Sequence, residues 1–167
     1  MNTTQKICHL LDCNSVKYKL FSHPETRTSE ESYKARQQAA GESVIGAKAL
    51  LMKMTSKKGA TLFNVFVLPG DKRLDSKALK SQLKDVKSFR FATSEEMAEL
   101  TGGLVPGSMP PFVQPIFENL NHLFIDTSLL EHERIGFNAA SLTQSLIVSC
   151  NDYIRAANPT DIFPFAC

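Results

Sequence analysis

The chain has 167 residues, of which 43% are hydrophobic and 22% are charged, a balance typical of a globular domain with one core. It holds no apolar run long enough for a membrane span and no N-terminal secretory signal, so we expect a cytoplasmic protein. The net charge of +2 is unevenly divided: residues 1–93 carry 17 basic and 8 acidic side chains (+9), and residues 94–167 carry 2 and 9 (−7). The basic half favours a phosphate-binding surface, although solvated lysines are also ordinary on strand and helix faces.

The N-terminal part of the chain predicts a helix, a strand and a second helix. Residues 3–13 place apolar side chains on one stripe, as an amphipathic helix does. Residues 16–21 alternate apolar and basic side chains with the period of a half-buried strand. A second helix is expected over residues 28–40, because its start has the order of a capping box and a glycine follows its end.

The run from Val44 to Met52 is apolar except for one lysine, Lys48. The pattern leaves helix and strand open, but in either one Lys48 has apolar neighbours on its own face. Burying a lone charge costs free energy, so there are four alternatives for this lysine. It either extends its ammonium group to water, pairs with an acid, shifts its pKa or binds an anionic ligand. The local residues leave these alternatives open.

The middle of the chain predicts two further strands and two further helices. Residues 61–68 are rich in β-branched and aromatic side chains, which indicates an interior strand. Residues 86–92 alternate like a half-buried strand, and helices are expected on either side of it at 74–83 and 93–101.

Residues 102–112 form the most irregular segment, with three glycines and three prolines. Glycine allows unusual backbone angles, whereas proline fixes φ and removes an amide donor. The segment therefore predicts a stiff loop that either presents free N–H groups to a carbonyl oxygen or only connects two elements.

Short strands at 122–126, 136–140 and 146–150 and a helix at 151–157 complete the pattern. About seven strands and about four helices then follow in an order that is neither strictly alternating nor all-β. We expect a mixed α/β fold, a single domain over residues 1–167 with a curled or barrel-like mixed β-sheet flanked by helices.

The cysteines, histidines and serines do not have the spacing of a metal site or of a covalent catalytic site. The four cysteines and four histidines show no ligand spacing, and no serine lies in a G-x-S-x-G elbow. We therefore expect no metal and no cofactor, and any hydrolysis would use attack by a positioned water.

Six segments and two single residues, in this order, carry a family resemblance: 23–32, 46–53, 66–75, 89–92, 99–102, 107–112, Asp126 and Asn138. Together they resemble the YbaK-type prolyl-tRNA editing family, the free-standing relatives of the editing domain in bacterial prolyl-tRNA synthetases. The resemblance covers most of the chain.

The resemblance implies a hydrolase, an aminoacyl-tRNA deacylase that acts in trans on the 3′ acceptor end of a mischarged tRNA. The expected acyl groups are small amino acids such as Ala, Cys, Ser or Thr, and tRNA-Pro is one expected carrier. The resemblance leaves open whether a synthetase is a second partner. Lys48 matches the family's functional lysine, placed near the phosphate and terminal adenosine. Gly107 and Pro111 match its G-x-x-x-P loop, which shapes the pocket around the aminoacyl carbonyl.

On this basis we assign the catalytic role to Lys48 and Gly107, with Lys48 as an anchor for the tRNA end and not as a base. The substrate-binding residues are expected in the loop and beside it: Ser108, Met109, Pro110, Pro111, Phe112, Asn138 and His23. The alternative is a non-catalytic module that binds tRNA ends or a synthetase, and such a module would show salt-dependent tRNA binding without turnover.

Overall fold

The computed structural model describes residues 1–42 and 44–167. Its α-helices are α1 (Thr3–Cys13), α2 (Ser29–Ala40), α3 (Ser76–Gln82), α4 (Ser94–Thr101) and α5 (Cys150–Ala157), with a 3-10 helix at Thr127–Glu131. Its strands are β1 (Tyr18–Ser22), β2 (Ile45–Ser56), β3 (Thr61–Pro69), β4 (Val86–Phe91), β5 (Leu123–Asp126), β6 (Arg134–Asn138), β7 (Gln144–Ser149) and β8 (Asp161–Phe163).

The eight strands form one mixed sheet in the order β1-β7-β6-β2-β3-β5-β8, and β4 also pairs with β2. The pairs β2–β6, β3–β5 and β5–β8 are parallel, and the other pairs are antiparallel. The predicted mixed α/β fold is confirmed. The sheet ends at β1 and β8 and does not close, so the barrel-like form of the prediction was wrong.

The eighth strand, β8, is the one that the sequence pattern did not indicate. It has three residues, between Pro159 and Pro164, and pairs in parallel with β5. Three residues are too few to display the period-two pattern that identifies a strand. Its position comes from the long-range pairing with β5.

Two layers of apolar side chains cover the two faces of the sheet. On one face Val65 and Val67 of β3 pack in a cluster with residues of α1 and α5, and on the other Phe66 and Leu68 pack with Leu79 of α3. These four side chains of β3 are fully buried, and burying one such side chain typically stabilises a fold by about 1.5–3 kcal/mol. Burial on both faces explains why residues 65–68 of β3 form a continuous apolar run.

Side-chain caps account for where the helices begin. The Thr28 hydroxyl accepts a hydrogen bond from the Glu31 amide at the start of α2, and Gly41 ends that helix with a φ of 70°, as predicted. At α1 the cap is Asn2, whose side chain accepts from the Gln5 amide. Within the described residues, every helix is too short or too polar to cross a bilayer.

Candidate active site

A gap in the sheet lies beside the strand that carries Lys48. One edge of β2 pairs with β6 at Ile45 and Gly46 and with β4 from Met52 onwards. Between these points, no described strand pairs with that edge. A cavity of about 320 Å³ opens at the gap, lined by β2, by α2 and by the loop that follows α4. This volume lies at the low end of the range for small-molecule sites, roughly 300–1,000 Å³.

The gap leaves backbone groups of β2 facing the cavity. The Gly46 carbonyl oxygen accepts a hydrogen bond of 2.8 Å from the amide of Gly70, the residue after β3. The Leu51 carbonyl oxygen accepts one of 2.9 Å from the amide of Ala92, the residue after β4. Successive residues of a strand direct their backbone groups to opposite edges, so Ala49 has the same direction as Leu51. Ala49 lines the cavity, and its N–H and C=O therefore offer a substrate one donor and one acceptor.

Lys48 lies on the cavity wall with a half-buried side chain. None of the ion pairs formed by the described residues includes it. Burial lowers the pKa of Lys48, the neighbouring charge of Arg73 lowers it further, and Asp71 opposes both effects. Since desolvation and positive charge dominate its surroundings, an anionic ligand would stabilise the protonated lysine.

The whole cavity favours negative charge. Arg27, Arg36 and Lys48 contribute to its lining, and none of its described lining residues is a carboxylate. The other polar side chains of the wall are hydroxyls and one amide. Such a set suits an anionic or hydroxylated organic ligand better than a metal ion, and no group of three His, Cys, Asp or Glu among the described residues could hold one.

The loop contributes Gly107 and Met109 to the cavity wall. Gly107 has a φ of +92°, and a Cβ there would lie 3.1 Å from the Arg27 carbonyl oxygen, so both the backbone angle and the limited space favour glycine. The N–H groups of Gly107 and Met109 donate no hydrogen bond to the described residues. Two free amides on one cavity wall are suitable donors for a carbonyl oxygen.

Asn138 also lines the cavity and connects the loop to the sheet. Its Nδ2 donates to the Gly107 carbonyl oxygen, and its Oδ1 accepts from the Ser145 hydroxyl at 3.4 Å. His23 is buried behind this pair, with Nε2 2.7 Å from Ser145 Oγ and Nδ1 2.8 Å from the Pro24 carbonyl oxygen. Thus His23 is linked to the cavity through Ser145, a residue that the sequence analysis did not single out.

The other loop residues lie outside the cavity wall and pack behind it. The Ser108 hydroxyl donates to a backbone carbonyl of its own loop at 2.7 Å. Pro110 is buried, and the Pro111 carbonyl accepts from the Tyr153 hydroxyl at 2.6 Å. Phe112 is fully buried with its ring edge-on to Tyr153. Their assignment to substrate binding stays a prediction.

Arg36 is a charged cavity residue that the sequence analysis missed. It lies on the same face of α2 as Ser29 and Ser32, which also line the cavity, and it is 3% exposed. Burial lowers its pKa to about 10, so it stays charged at neutral pH. A signal was present: α2 contains no large aliphatic residue, so whichever face packs on the sheet must bury polar side chains.

Comparison with known proteins decides the family. A model of the aminoacyl-tRNA editing domain matches residues 23–156, which include the cavity residues described above. The chain belongs to this family. Membership confirms the resemblance found in the sequence.

A relative of this editing domain is the multifunctional Ser/Thr-tRNA deacylase ProXp-y of Escherichia coli strain K12. It is 31% identical over 158 residues, which cover 94% of this chain and 89% of that protein. With the family match, this relative confirms the predicted enzyme class, a hydrolase that deacylates aminoacyl-tRNA.

Two crystal structures share the fold of the editing domain. The hypothetical protein APE2540 has a TM-score of 0.74 at 22% identity, with 97% of this chain and 99% of that chain covered. A protein described as a candidate trans-editing enzyme for prolyl-tRNA synthetase has a TM-score of 0.71 at 19% identity, with 96% and 95% covered. At these identities the two structures support the fold alone.

Proposed function

We propose that this editing domain hydrolyses the ester that joins serine or threonine to the 3′ end of a mischarged tRNA. It acts in trans and in the cytoplasm, with residues 1–167 working as one domain. The observation that carries the proposal is the cavity beside Lys48, where three cations and no described carboxylate line a site of aminoacyl size. The preference for serine and threonine rests on the relative that is named for these two amino acids.

Lys48 binds the phosphate next to the terminal adenosine in this proposal. Its half-buried position at the cavity wall supports the assignment, as does the absence of an ion pair to any described carboxylate. A bound phosphate would place negative charge beside this lysine and so oppose the burial and the Arg73 charge that lower its pKa. Lys48 stays protonated in this role and does not accept a proton.

A water molecule attacks the ester, and the loop amides of Gly107 and Met109 bind the carbonyl oxygen. Their free N–H groups support this assignment, because removing one donor of an oxyanion site typically reduces the rate by about 10²–10³. The N–H and C=O of Ala49 bind the amino-acid backbone from the opposite wall. The tRNA's own ribose hydroxyl, adjacent to the ester, orients the water.

Small size and hydroxyl groups set the substrate preference. The hydroxyls of Ser29 and Ser32 line the same wall and are suited to a hydroxylated side chain. Met109, 6% exposed, limits the length of the acyl group from the loop side. Size exclusion alone discriminates one methylene by only about 1–3 kcal/mol, so alanine and cysteine are the competitors to compare.

The test is a panel of tRNAs, tRNA-Pro among them, each charged with serine, threonine, alanine, cysteine or proline. Release of the amino acid is measured at sub-stoichiometric protein, so that turnover is distinguished from binding. We expect seryl and threonyl esters to be hydrolysed fastest, and Lys48→Ala to reduce kcat/KM on both.

The matched control is Lys53→Ala, which removes a lysine from the same strand outside the cavity. An inactive wild type that still binds tRNA in a salt-dependent manner would identify the non-catalytic binding module instead. Equal rates for Lys48→Ala and wild type would remove Lys48 from the proposal.

A further inference from the structure

We propose that Arg36 is a catalytic residue whose guanidinium balances the negative charge that develops on the ester carbonyl oxygen during hydrolysis. The proposal rests on the deacylase function above and adds to it a cation from α2 that no motif indicated.

Two glycines on neighbouring strands make room for this side chain. Gly46 of β2 and Gly136 of β6 are register partners in the sheet. A Cβ at Gly46 would lie 2.5 Å from an Arg36 terminal nitrogen, and one at Gly136 would lie 2.6 Å from both Cδ and Nε of Arg36. Any larger residue at either position would displace the guanidinium, so the sheet here holds a slot shaped for Arg36 at the cavity.

The guanidinium has no protein acceptor in the described chain that would explain its burial. Its Nε is buried without a hydrogen-bond partner, and none of the ion pairs of the described residues includes Arg36. The nearby Ser32 hydroxyl is engaged with the Thr26 hydroxyl at 2.9 Å. A buried charge without a partner is costly, and the cost is relieved when an anion enters the cavity.

Depth separates the role of Arg36 from that of Lys48. Gly46, which the Arg36 guanidinium covers, is two residues before Lys48 on the same face of β2, a separation of about 7 Å along the strand. Arg36 is 3% exposed whereas Lys48 is half-buried, so the phosphate stays with Lys48 nearer the solvent. Only the small acyl end of the substrate reaches Arg36.

The acyl end carries a full negative charge only during the reaction. The water oxygen forms a bond to the ester carbonyl carbon, and the π electron pair of the carbonyl moves to its oxygen, which becomes the oxyanion. When the oxyanion collapses, the bond to the ribose oxygen breaks, and that oxygen receives the proton lost by the water. Arg36 donates hydrogen bonds to the oxyanion, so its unpaired charge is balanced in the transition state and not in the ground state.

The test compares Arg36→Met and Arg36→Gln with wild type on seryl- and alanyl-tRNA in single-turnover and steady-state assays. An interaction made only in the transition state lowers kcat with little change in KM. We expect kcat to fall about 10²–10³-fold on both substrates, since the ester carbonyl is common to them. Binding of a non-hydrolysable 3′-amide analogue of seryl-adenosine should remain within about threefold of wild type.

The matched control is Lys34→Met, which removes an exposed cation of the same helix that pairs with Glu30. Thermal unfolding accompanies each assay, and the Gln variant, which keeps a polar donor, decides the question if the Met variant does not fold. A loss confined to seryl-tRNA assigns Arg36 to recognition of the hydroxyl and overturns the catalytic role. A rise in KM alone, or an unchanged rate, overturns it too.

The two proposals fail in different ways. An active wild type with an equally active Arg36→Gln variant overturns only the role of Arg36. An inactive wild type overturns the deacylase function and the role of Arg36 with it.

Discussion

Asn138 donates a hydrogen bond from its side-chain nitrogen to the carbonyl oxygen of Gly107, across one end of the cavity. Asn138 ends β6, a strand that is paired on both sides, by β2 and by β7. The contact therefore fixes the loop to the interior of the sheet. It also leaves the N–H of Gly107 free for a substrate, because the carbonyl is the group that the asparagine uses.

Replacing Asn138 by alanine should loosen the loop without removing a group that contacts the ester. We expect kcat to fall roughly tenfold and the free energy of unfolding to fall by about 1 kcal/mol, the usual worth of one such hydrogen bond. Single-turnover deacylation and urea denaturation measure the two effects. Asn151→Ala, on the exposed surface of α5, should change neither. An Asn138→Ala variant with wild-type kcat would contradict the anchoring role.

Gly107→Ala should be more damaging than Gly103→Ala, although both glycines have positive φ angles, +92° and +113°. A Cβ at Gly103 meets nothing within 4 Å, so that variant incurs only backbone strain, about 1–3 kcal/mol. A Cβ at Gly107 also crowds the Arg27 carbonyl at 3.1 Å. Chemical denaturation should rank the two variants in this order, and only Gly107→Ala should slow deacylation. Equal destabilisation would show that the loop yields to the added methyl.

Lys48→Met should raise stability at pH 7 while reducing kcat/KM on seryl- and threonyl-tRNA. The pKa of Lys48 is lowered in the folded state, mainly by burial, so the folded state binds the proton less readily than the unfolded state does. Wild type therefore gains stability as the pH rises from the lowered pKa towards the ordinary value of 10.5. The stability advantage of Lys48→Met should shrink over that range. Thermal melts of both proteins from pH 7 to 10.5 measure it, and a constant difference would show that the buried charge of Lys48 is not its cause.

Asp126→Asn should destabilise the protein at neutral pH and reduce its sensitivity to acid. Burial raises the pKa of Asp126, but hydrogen bonds from Ser128 and from the amides of Phe165 and Ala166 outweigh it, and the net shift is downward. A lowered carboxyl pKa gives stability that is present above the ordinary value of 3.8 and is lost as the pH falls through the lowered value. At pH 7 the loss should be about 1.5–3 kcal/mol.

Acid titration of unfolding tests this prediction, with Asp85→Asn, at an exposed position, as the control. The curves of wild type and Asp126→Asn should converge as the pH falls below 3.8. Parallel curves down to the acid limit would mean that the charge of Asp126 contributes nothing.

The sequence predicted the fold class and most elements, because amphipathic periods and caps are local signals. Lys48 shows where local signals stop: both helical and strand spacing gave it apolar neighbours. Pairing with β3 decides the matter, since Lys48 lies opposite Leu68 in the register of the sheet. That pairing depends on residues far along the chain, which no window of the sequence contains.

The candidate site shows the same limit of local signals. Gly107, Met109, Asn138 and Lys48 are predicted from the sequence and do line one cavity. The contact of His23 with Ser145 joins residues 122 positions apart, and spacing does not reveal it. Arg36 of α2 is buried where glycines of β2 and β6 accommodate it, so its position is visible only once three elements are assembled.

The interrupted edge of β2 also bears on how this protein avoids self-association. An unpaired strand edge is a template for strands of other molecules, and proteins commonly shorten or cover such edges. Here β6 and β4 occupy both ends of the edge, and the stretch between Gly46 and Met52 faces a cavity whose other walls are α2 and the loop that follows α4. A foreign strand would have to enter that cavity to pair with this part of β2, so the edge is covered while its backbone polar groups stay open to a small ligand.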